Sequence, residues 1–320
     1  MAWSTDVTHF QLADNLRDST VLWGFYIRLG GMADKFDDMH KDVKRVVNVA
    51  EDILEYMRKS ERSATFVASG RLQMPLKPGV FHGRDDFVKQ IAEFFLQEET
   101  PRVCILGPGG MGKTSASLAV VQSPLLQQRF PSRNRVWVPC IEATSAARLL
   151  EILCIQLQMP GDRQITLEKI ISQLDASKEP RLILLDNFET PWNSSTQEQV
   201  EVILLQLAEL RHISILVTMR ETYPPCSNAI KWQSKYIEPM DDEACLRIFH
   251  EINPSSKDDP DVGRLLTALG YMPFVVTLMA KLGMRAKSTA KELLDAWLES
   301  GPDMLPYKSE WNTNRSISLR

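Results

Sequence analysis

Apolar positions along this chain fall into two kinds of pattern. Short continuous runs come first: Arg102-Val103-Cys104-Ile105-Leu106, Arg135-Val136-Trp137-Val138-Pro139-Cys140, Arg181-Leu182-Ile183-Leu184-Leu185-Asp186 and His212-Ile213-Ser214-Ile215-Leu216-Val217-Thr218. Each has strand length, and apolar residues at successive positions mark strands covered on both faces. Tyr236-Ile237-Glu238 reads as a short fifth strand. Around the runs, apolar residues recur at three- and four-residue steps, as in Phe87, Val88, Ile91, Phe94 and Phe95 ahead of the first. The same spacing predicts helices over 146–158 and 166–174, and one ending near Leu210 that Ser195 and Glu198 would open as a capping box. Strands alternating with helices predict an α/β fold, a parallel sheet flanked by helices.

The pattern changes at Asp241, after which only helices are predicted. Asp241–Ile252 packs through Ala244, Cys245, Ile248 and Phe249. Asp261–Leu269 is stopped by Gly270, and Pro273 sits where a first-turn proline belongs before Phe274–Leu282. Ser288–Trp297 is the last helix. Upstream, Val43, Val46, Val47, Ala50, Ile53, Leu54 and Met57 make one apolar stripe within Lys41–Lys59. That stripe fits a helix of a small bundle or one that self-associates. The Ser, Pro and Gly content of 60–79 is that of a linker. The division expected is therefore 1–59 N-terminal helical region, 60–79 linker, 80–240 α/β domain, 241–300 small helical domain and 301–320 polar tail.

Composition narrows the partners. With 320 residues, 44% of them hydrophobic, the chain is long enough for roughly two or three domains. A net charge of −4 without a basic block argues against a nucleic-acid surface. The five cysteines are scattered, share no C-x-x-C spacing and predict reduced thiols in a cytoplasmic protein. No signal peptide is visible, and the run Val21–Ile27 is too short to span a membrane.

The chemistry centres on Gly107-Pro108-Gly109-Gly110-Met111-Gly112-Lys113-Thr114, the G-x-x-x-x-G-K-[ST] phosphate-binding loop, set between a predicted strand and helix. Gly107, Gly109, Gly110, Met111 and Gly112, followed by Lys113, Thr114 and Ser115, are the predicted nucleotide-binding residues. Glycines let backbone N–H groups line an anion site, to which the helix N-terminus adds its partial charge. Lys113 is expected on the β- and γ-phosphates and Thr114 on Mg²⁺. Downstream, Asp186 ends an apolar strand, the position of a second Mg²⁺ ligand. Glu189 is the nearest other carboxylate. Arg220, just past the fourth strand, is placed to read a phosphate through its forked donors.

With these motifs on the page, the chain resembles the NB-ARC/STAND class of signal-transduction ATPases, and within it the fungal NOD-like receptors. The resemblance rests on Phe81-His82-Gly83-Arg84, the loop Gly107–Thr114, Leu182–Asp186, Leu216-Val217-Thr218-Met219-Arg220 and Leu269-Gly270-Tyr271-Met272-Pro273, across about residues 80–300. It implies that Phe81 and Arg84 help hold adenine, that Arg220 senses the γ-phosphate, and that Pro273 touches the base from the helical domain. It implies an ATP/ADP switch with Mg²⁺ in innate-immune signalling, acting by nucleotide exchange and by self-association through the N-terminal helices. Two departures qualify it. Many members carry a second acid directly after the strand aspartate. Here that residue is Asn187, which leaves Glu189 as the available carboxylate and makes fast hydrolysis unexpected. The family also continues into a winged helix and a repeat sensor, so this chain is expected to be truncated before them. The alternatives are a turnover ATPase of AAA-like type, a small-molecule kinase, for which no acceptor pocket is legible, and a non-hydrolysing nucleotide-binding scaffold.

Overall fold

The structure, a computed structural model, describes residues 73–159 and 165–300, with Ser300 described in its backbone alone. The predicted 41–59 helix with its self-association stripe, the linker up to residue 72 and the 301–320 tail lie outside the described residues.

Five parallel strands form the sheet: β1 (Arg102–Leu106), β2 (Arg135–Pro139), β3 (Arg181–Asp186), β4 (Ile213–Met219) and β5 (Gln233–Tyr236), in the order β2-β3-β4-β1-β5. β1, β3 and β4 are the interior strands, and apart from Arg181 every residue in them is buried. This is the continuous apolar signature read from the sequence. β2 lies at one edge and alternates buried with half-buried positions. β5 lies at the other edge and is polar throughout, three residues earlier than the predicted 236–238. It carries no apolar run because its pairing comes from backbone bonds to β1, which the N–H of Ile237 extends by donating to Leu106 O at 2.9 Å.

Seven helices serve the sheet: α1 (Asp85–Gln97), α2 (Lys113–Val121), α3 (Pro124–Arg129), α4 (Ala146–Gln156), α5 (Leu167–Ser177), α6 (Glu189–Trp192) and α7 (Gln197–Glu209). Successive side chains in a strand point to opposite faces. Val103, Ile105, Leu182, Leu184 and Leu216 therefore pack with α1, α2 and α3 on one side. Cys104, Leu106, Ile183, Leu185, Ile215 and Val217 pack with α4, α5 and α7 on the other. The buried guanidinium of Arg102 donates to the carbonyls of Ile213, Ala208 and Leu210, tying the start of β1 to β4 and to the end of α7. The predicted capping box of α7 does not form. Thr196, not Ser195, is its N-cap residue, and the Thr196 hydroxyl accepts from the backbone N–H of Ala146, at the start of α4.

Four more helices follow: α8 (Asp242–Ile252), α9 (Val262–Ala268), α10 (Pro273–Ala286) and α11 (Ala290–Ser300). They enclose a third core of residues such as Phe249, Leu265, Val276 and Met279. Asp241 caps α8 by accepting from Ala244 N at 2.6 Å. α9 ends in a pair of bonds, Gly270 N to Thr267 O and Tyr271 N to Leu266 O, with Gly270 at φ 61°. That is the Schellman stop which the glycine predicts. Pro273 is the first residue of α10, which runs on to Ala286. The lead-in segment 73–84 lies along the α/β part, with Lys77 N donating to Gln122 Oε1 at 3.1 Å.

Candidate functional site

The loop between β1 and α2 meets the C-terminal ends of β3 and β4, where ligands bind in open α/β sheets. Gly112 is the residue before α2 and adopts φ 84° with nothing near its missing Cβ. Glycine is needed there for the backbone turn alone, the turn that points N–H groups into the loop. Gly107 lies deeper, packed under Ile237, which leaves no room for a side chain. Lys113 is almost fully buried, and its ammonium donates to the carbonyls of Gly107 at 2.6 Å and Pro108 at 2.7 Å. Burial depresses its pKa to about 8, against the opposing charge of Glu189 and Asp186 and with the help of Arg220.

Asp186 is 4% exposed. Its Oδ1 accepts from Thr114 Oγ1 at 2.9 Å and from Thr218 Oγ1 at 2.6 Å. Burial raises the Asp186 carboxyl above its ordinary range, and hydrogen bonds from Thr218, Thr114 and Trp137 oppose that rise. A hydroxyl and a carboxylate at this separation are hard oxygen donors of the kind Mg²⁺ accepts beside phosphate oxygens and water. The residues present therefore fit a Mg²⁺–nucleotide, and Thr114 and Asp186 are the residues that would hold the metal. Among the described residues no group of three or more His, Cys, Asp and Glu side chains could hold a metal by itself.

A cavity of 510 Å³ opens between this edge of the sheet and the helical part. Of the predicted site residues, it is lined by Gly109, Gly110, Met111, Gly112, Lys113, Thr114 and Ser115 from the loop region. Phe81 and Arg84 come from the lead-in segment, Arg220 from the end of β4, and Pro273 from α10. Gly107, Asp186 and Glu189 stand behind this surface. Arg84 is engaged: its guanidinium donates to the carbonyl of Glu238, and burial lowers its pKa. The ring of Phe81 carries the Lys77 ammonium at 5.5 Å from its centroid. Glu189 opens α6, and its Oε1 lies 3.1 Å from Nε of Arg220. Burial raises the Glu189 carboxyl, while nearby backbone N–H groups and the charges of Arg220 and Lys113 oppose the shift.

Sequence reasoning missed further lining residues. Thr277, Leu278, Lys281 and Arg285 join Pro273 along one face of α10, and Met240 and Ile248 close the apolar side. A polar face opposite the buried Val276, Met279 and Ala280 has the pattern of a solvated one, so no local signal separates it from ordinary surface. Thr218 had a signal, a hydroxyl inside a wholly buried strand. Bonds join the helical part to the phosphate loop and to the lead-in segment. The backbone N–H of Phe274 donates to Gly110 O at 3.2 Å, and His82 Nε2 lies 2.6 Å from Glu251 Oε2 on α8. Proline has no N–H, so Phe274 carries one of the first donors that α10 leaves unpaired, and the loop accepts it.

A sequence profile for Novel STAND NTPase 1, nSTAND1, matches residues 75–251. No curated protein matches the sequence. Among solved structures, the Aeropyrum pernix ORC1 protein in complex with DNA aligns with TM-score 0.50 at 18% identity, covering 69% of this chain and 66% of that one. The Walker-type ATPase of Pyrococcus abyssi aligns with TM-score 0.49 at 12% identity, covering 71% of this chain and 75% of that one. A STAND protein with a tetratricopeptide repeat sensor from Pyrococcus horikoshii aligns with TM-score 0.39 at 16% identity, covering 69% of this chain and 33% of that one. At 18% identity the likeness to the Aeropyrum pernix protein concerns the fold alone. Among the described residues no helix is long and apolar enough to cross a membrane.

Proposed function

This chain belongs to the Novel STAND NTPase 1 family, and on that premise we propose that it is an adenine-nucleotide-dependent switch of the NB-ARC/STAND type. ADP or ATP with Mg²⁺ would occupy the cavity between the sheet and the helical part. Lys113 leaves the loop carbonyls to meet the β- and γ-phosphates, while Thr114 and Asp186 hold the metal. Bound Mg²⁺ would supply charge neutralisation and a fixed phosphate geometry. Arg220 reads the γ-phosphate, and Phe81, Arg84 and Pro273 surround the base. ATP and ADP then differ in their contacts with Arg220, and that difference is what a population shift between two arrangements requires. The N-terminal helices carry the output by self-association, as in NOD-like receptors of innate immunity. Asn187 in place of a second acid makes hydrolysis slow, so exchange rather than turnover sets the state.

One observation supports the reading above the others. A single cavity, of a size that suits a small-molecule ligand, is lined from one side by the phosphate loop and Arg220 and from the other by Pro273 and Thr277. Thermal melting with ADP and Mg²⁺ tests it. Ligand at a hundredfold excess over its dissociation constant adds about 2.7 kcal/mol, so the melting temperature rises with ADP, and Lys113→Ala removes the rise while keeping the fold. No shift in the unaltered protein at millimolar ADP would refute nucleotide binding. Phosphate release measured in parallel separates the alternatives: rapid release makes the protein a turnover ATPase, and bound ADP with none makes it a switch or a scaffold.

A further inference from the structure

Arg220 stands between two features. On one side is Glu189, whose Oε1 takes the inner guanidinium nitrogen, Nε, at 3.1 Å. On the other is the phosphate loop. A Cβ placed on Gly109 would meet Nη1 of Arg220 at 3.5 Å, Cζ at 3.6 Å and Nε at 3.7 Å, so the guanidinium lays its face against the loop. The two partners differ in exposure: the Glu189 side chain is 15% exposed and that of Arg220 is 33% exposed. Arg220 lines the cavity and Glu189 does not. The other carboxylate oxygen, Oε2, is buried and makes no well-aligned hydrogen bond. Burying a carboxylate is costly, and here the charge of Arg220 and nearby backbone N–H groups offset that cost. The frame around the pair is braced next door, where Asn193 Nδ2, just after α6, donates to Glu221 Oε1 at 2.9 Å.

We infer that Glu189 is a positioning residue for Arg220, holding the guanidinium by Nε against the phosphate loop and at the cavity, and that this contact sets the preference for a nucleoside triphosphate over a diphosphate. The inference rests on the reading of the cavity as a nucleotide site. An arginine on a free loop must lose its rotamer freedom when it binds a phosphate, whereas one already held in place has lost it beforehand. Guanidinium recognition of phosphate is planar and forked, so orientation matters as much as charge. Glu189 engages the group through Nε, and the group as a whole lies against Gly109 at the wall of the cavity. In this arrangement Glu189 is not the carboxylate that orients an attacking water, because it is engaged by Arg220 and does not line the cavity.

The competing arrangement is that Glu189 rivals the terminal phosphate for Arg220, and it predicts the opposite sign. The experiment measures dissociation constants for ADP and for the β,γ-imido analogue of ATP on the full chain, with melting curves as folding controls. Glu189→Ala should weaken the analogue about tenfold while ADP stays within about twofold, the scale of one lost charge-assisted bond. Glu189→Gln, which keeps an acceptor oxygen, should restore most of the preference. Arg220→Lys should lose it despite the retained charge, and Glu189→Ala should then have no further effect. A tighter or unchanged analogue in Glu189→Ala overturns the inference, as does an equal effect of Glu189→Ala in the Arg220→Lys background. If Glu189→Ala does not fold, an undiminished preference in Arg220→Lys overturns it alone. Wild-type protein that binds neither nucleotide overturns the nucleotide reading and the inference with it. Wild-type protein that binds both, with a ratio indifferent to Glu189, overturns the inference only.

Discussion

Thr218 concentrates more of the site's geometry than any loop residue. Its hydroxyl donates to Asp186 Oδ1 at 2.6 Å and accepts from the backbone N–H of Asn187 at 3.0 Å. Asn187 has φ 59°, a left-handed conformation that asparagine tolerates better than most residues. The threonine thus fixes the chain as it leaves β3 and keeps a buried carboxylate supplied with donors. Thr218→Val preserves shape but removes both bonds and leaves the Asn187 N–H and one lone pair of Asp186 unsatisfied. Urea unfolding should show a loss of about 1–3 kcal/mol, with Thr218→Ser closer to wild type. Equal stability of Thr218→Val and wild type would mean that another group supports Asp186. The sequence made Lys113, Thr114 and Asp186 legible because each sits in a motif whose chemistry is local. It hid the partnership of Thr218, because a hydroxyl in an apolar strand declares a bond without naming the acceptor.

At the level of elements, the strands and helices that bury a regular stripe were readable almost to the residue, as β1 and β3 show. Elements whose stability comes from a neighbour were not. β5 is polar and rests on β1, so its position was misplaced. The capping box expected at Ser195 and Glu198 is absent, whereas an unforeseen one joins Thr289 and Glu292 ahead of α11, with Thr289 N donating to Glu292 Oε2 at 2.9 Å and Glu292 N donating to Thr289 Oγ1 at 3.2 Å. Both segments carry the same local signal, and only tertiary contacts decide which is used. Gly83 makes the same point. From sequence the segment reads as an ordinary turn into α1, yet Gly83 has φ 69° and a Cβ there would sit 2.4 Å from the Cβ of Ala244 on α8. That Cβ is fixed by the helix backbone and cannot rotate away. Gly83→Ala adds left-handed strain of about 1–2 kcal/mol to overpacking of about 1–3 kcal/mol. Its denaturation midpoint should fall accordingly, and ADP affinity should fall with it, since Phe81 and Arg84 are carried by the same segment. A variant as stable as wild type would show that the lead-in segment is not seated on α8.

Among the described residues there are three cores. Two cover the faces of the sheet and the third lies within α8 to α11. The α/β part with its phosphate loop was predictable because one motif fixes strand, loop and helix together. The closure of the helical part over that loop was implied only by the family resemblance at Pro273, because nothing local to Pro273 or Lys281 says what faces them. Base preference follows from this division. A phosphate loop grips phosphates whatever base they carry, so on the proposed reading a preference for adenine would come from the residues on the far side of the cavity, among them Pro273, whose neighbour Phe274 bonds to Gly110. Pro273 also has a purely structural use, since a first-turn proline suits a helix start after the Gly270 stop. The two roles separate in Pro273→Ala. If the proline serves only the helix start, stability changes slightly and ADP affinity does not. If it closes the cavity over the base, ADP binds more weakly and the preference for ADP over GDP shrinks, while phosphate contacts at Lys113 persist and keep some affinity for both. Titration of wild type and Pro273→Ala with each nucleotide, beside melting curves, decides between these outcomes. Equal affinities and equal base preference in two equally folded proteins would remove the helical part from nucleotide recognition and leave the phosphate loop and Arg220 as the whole of the site.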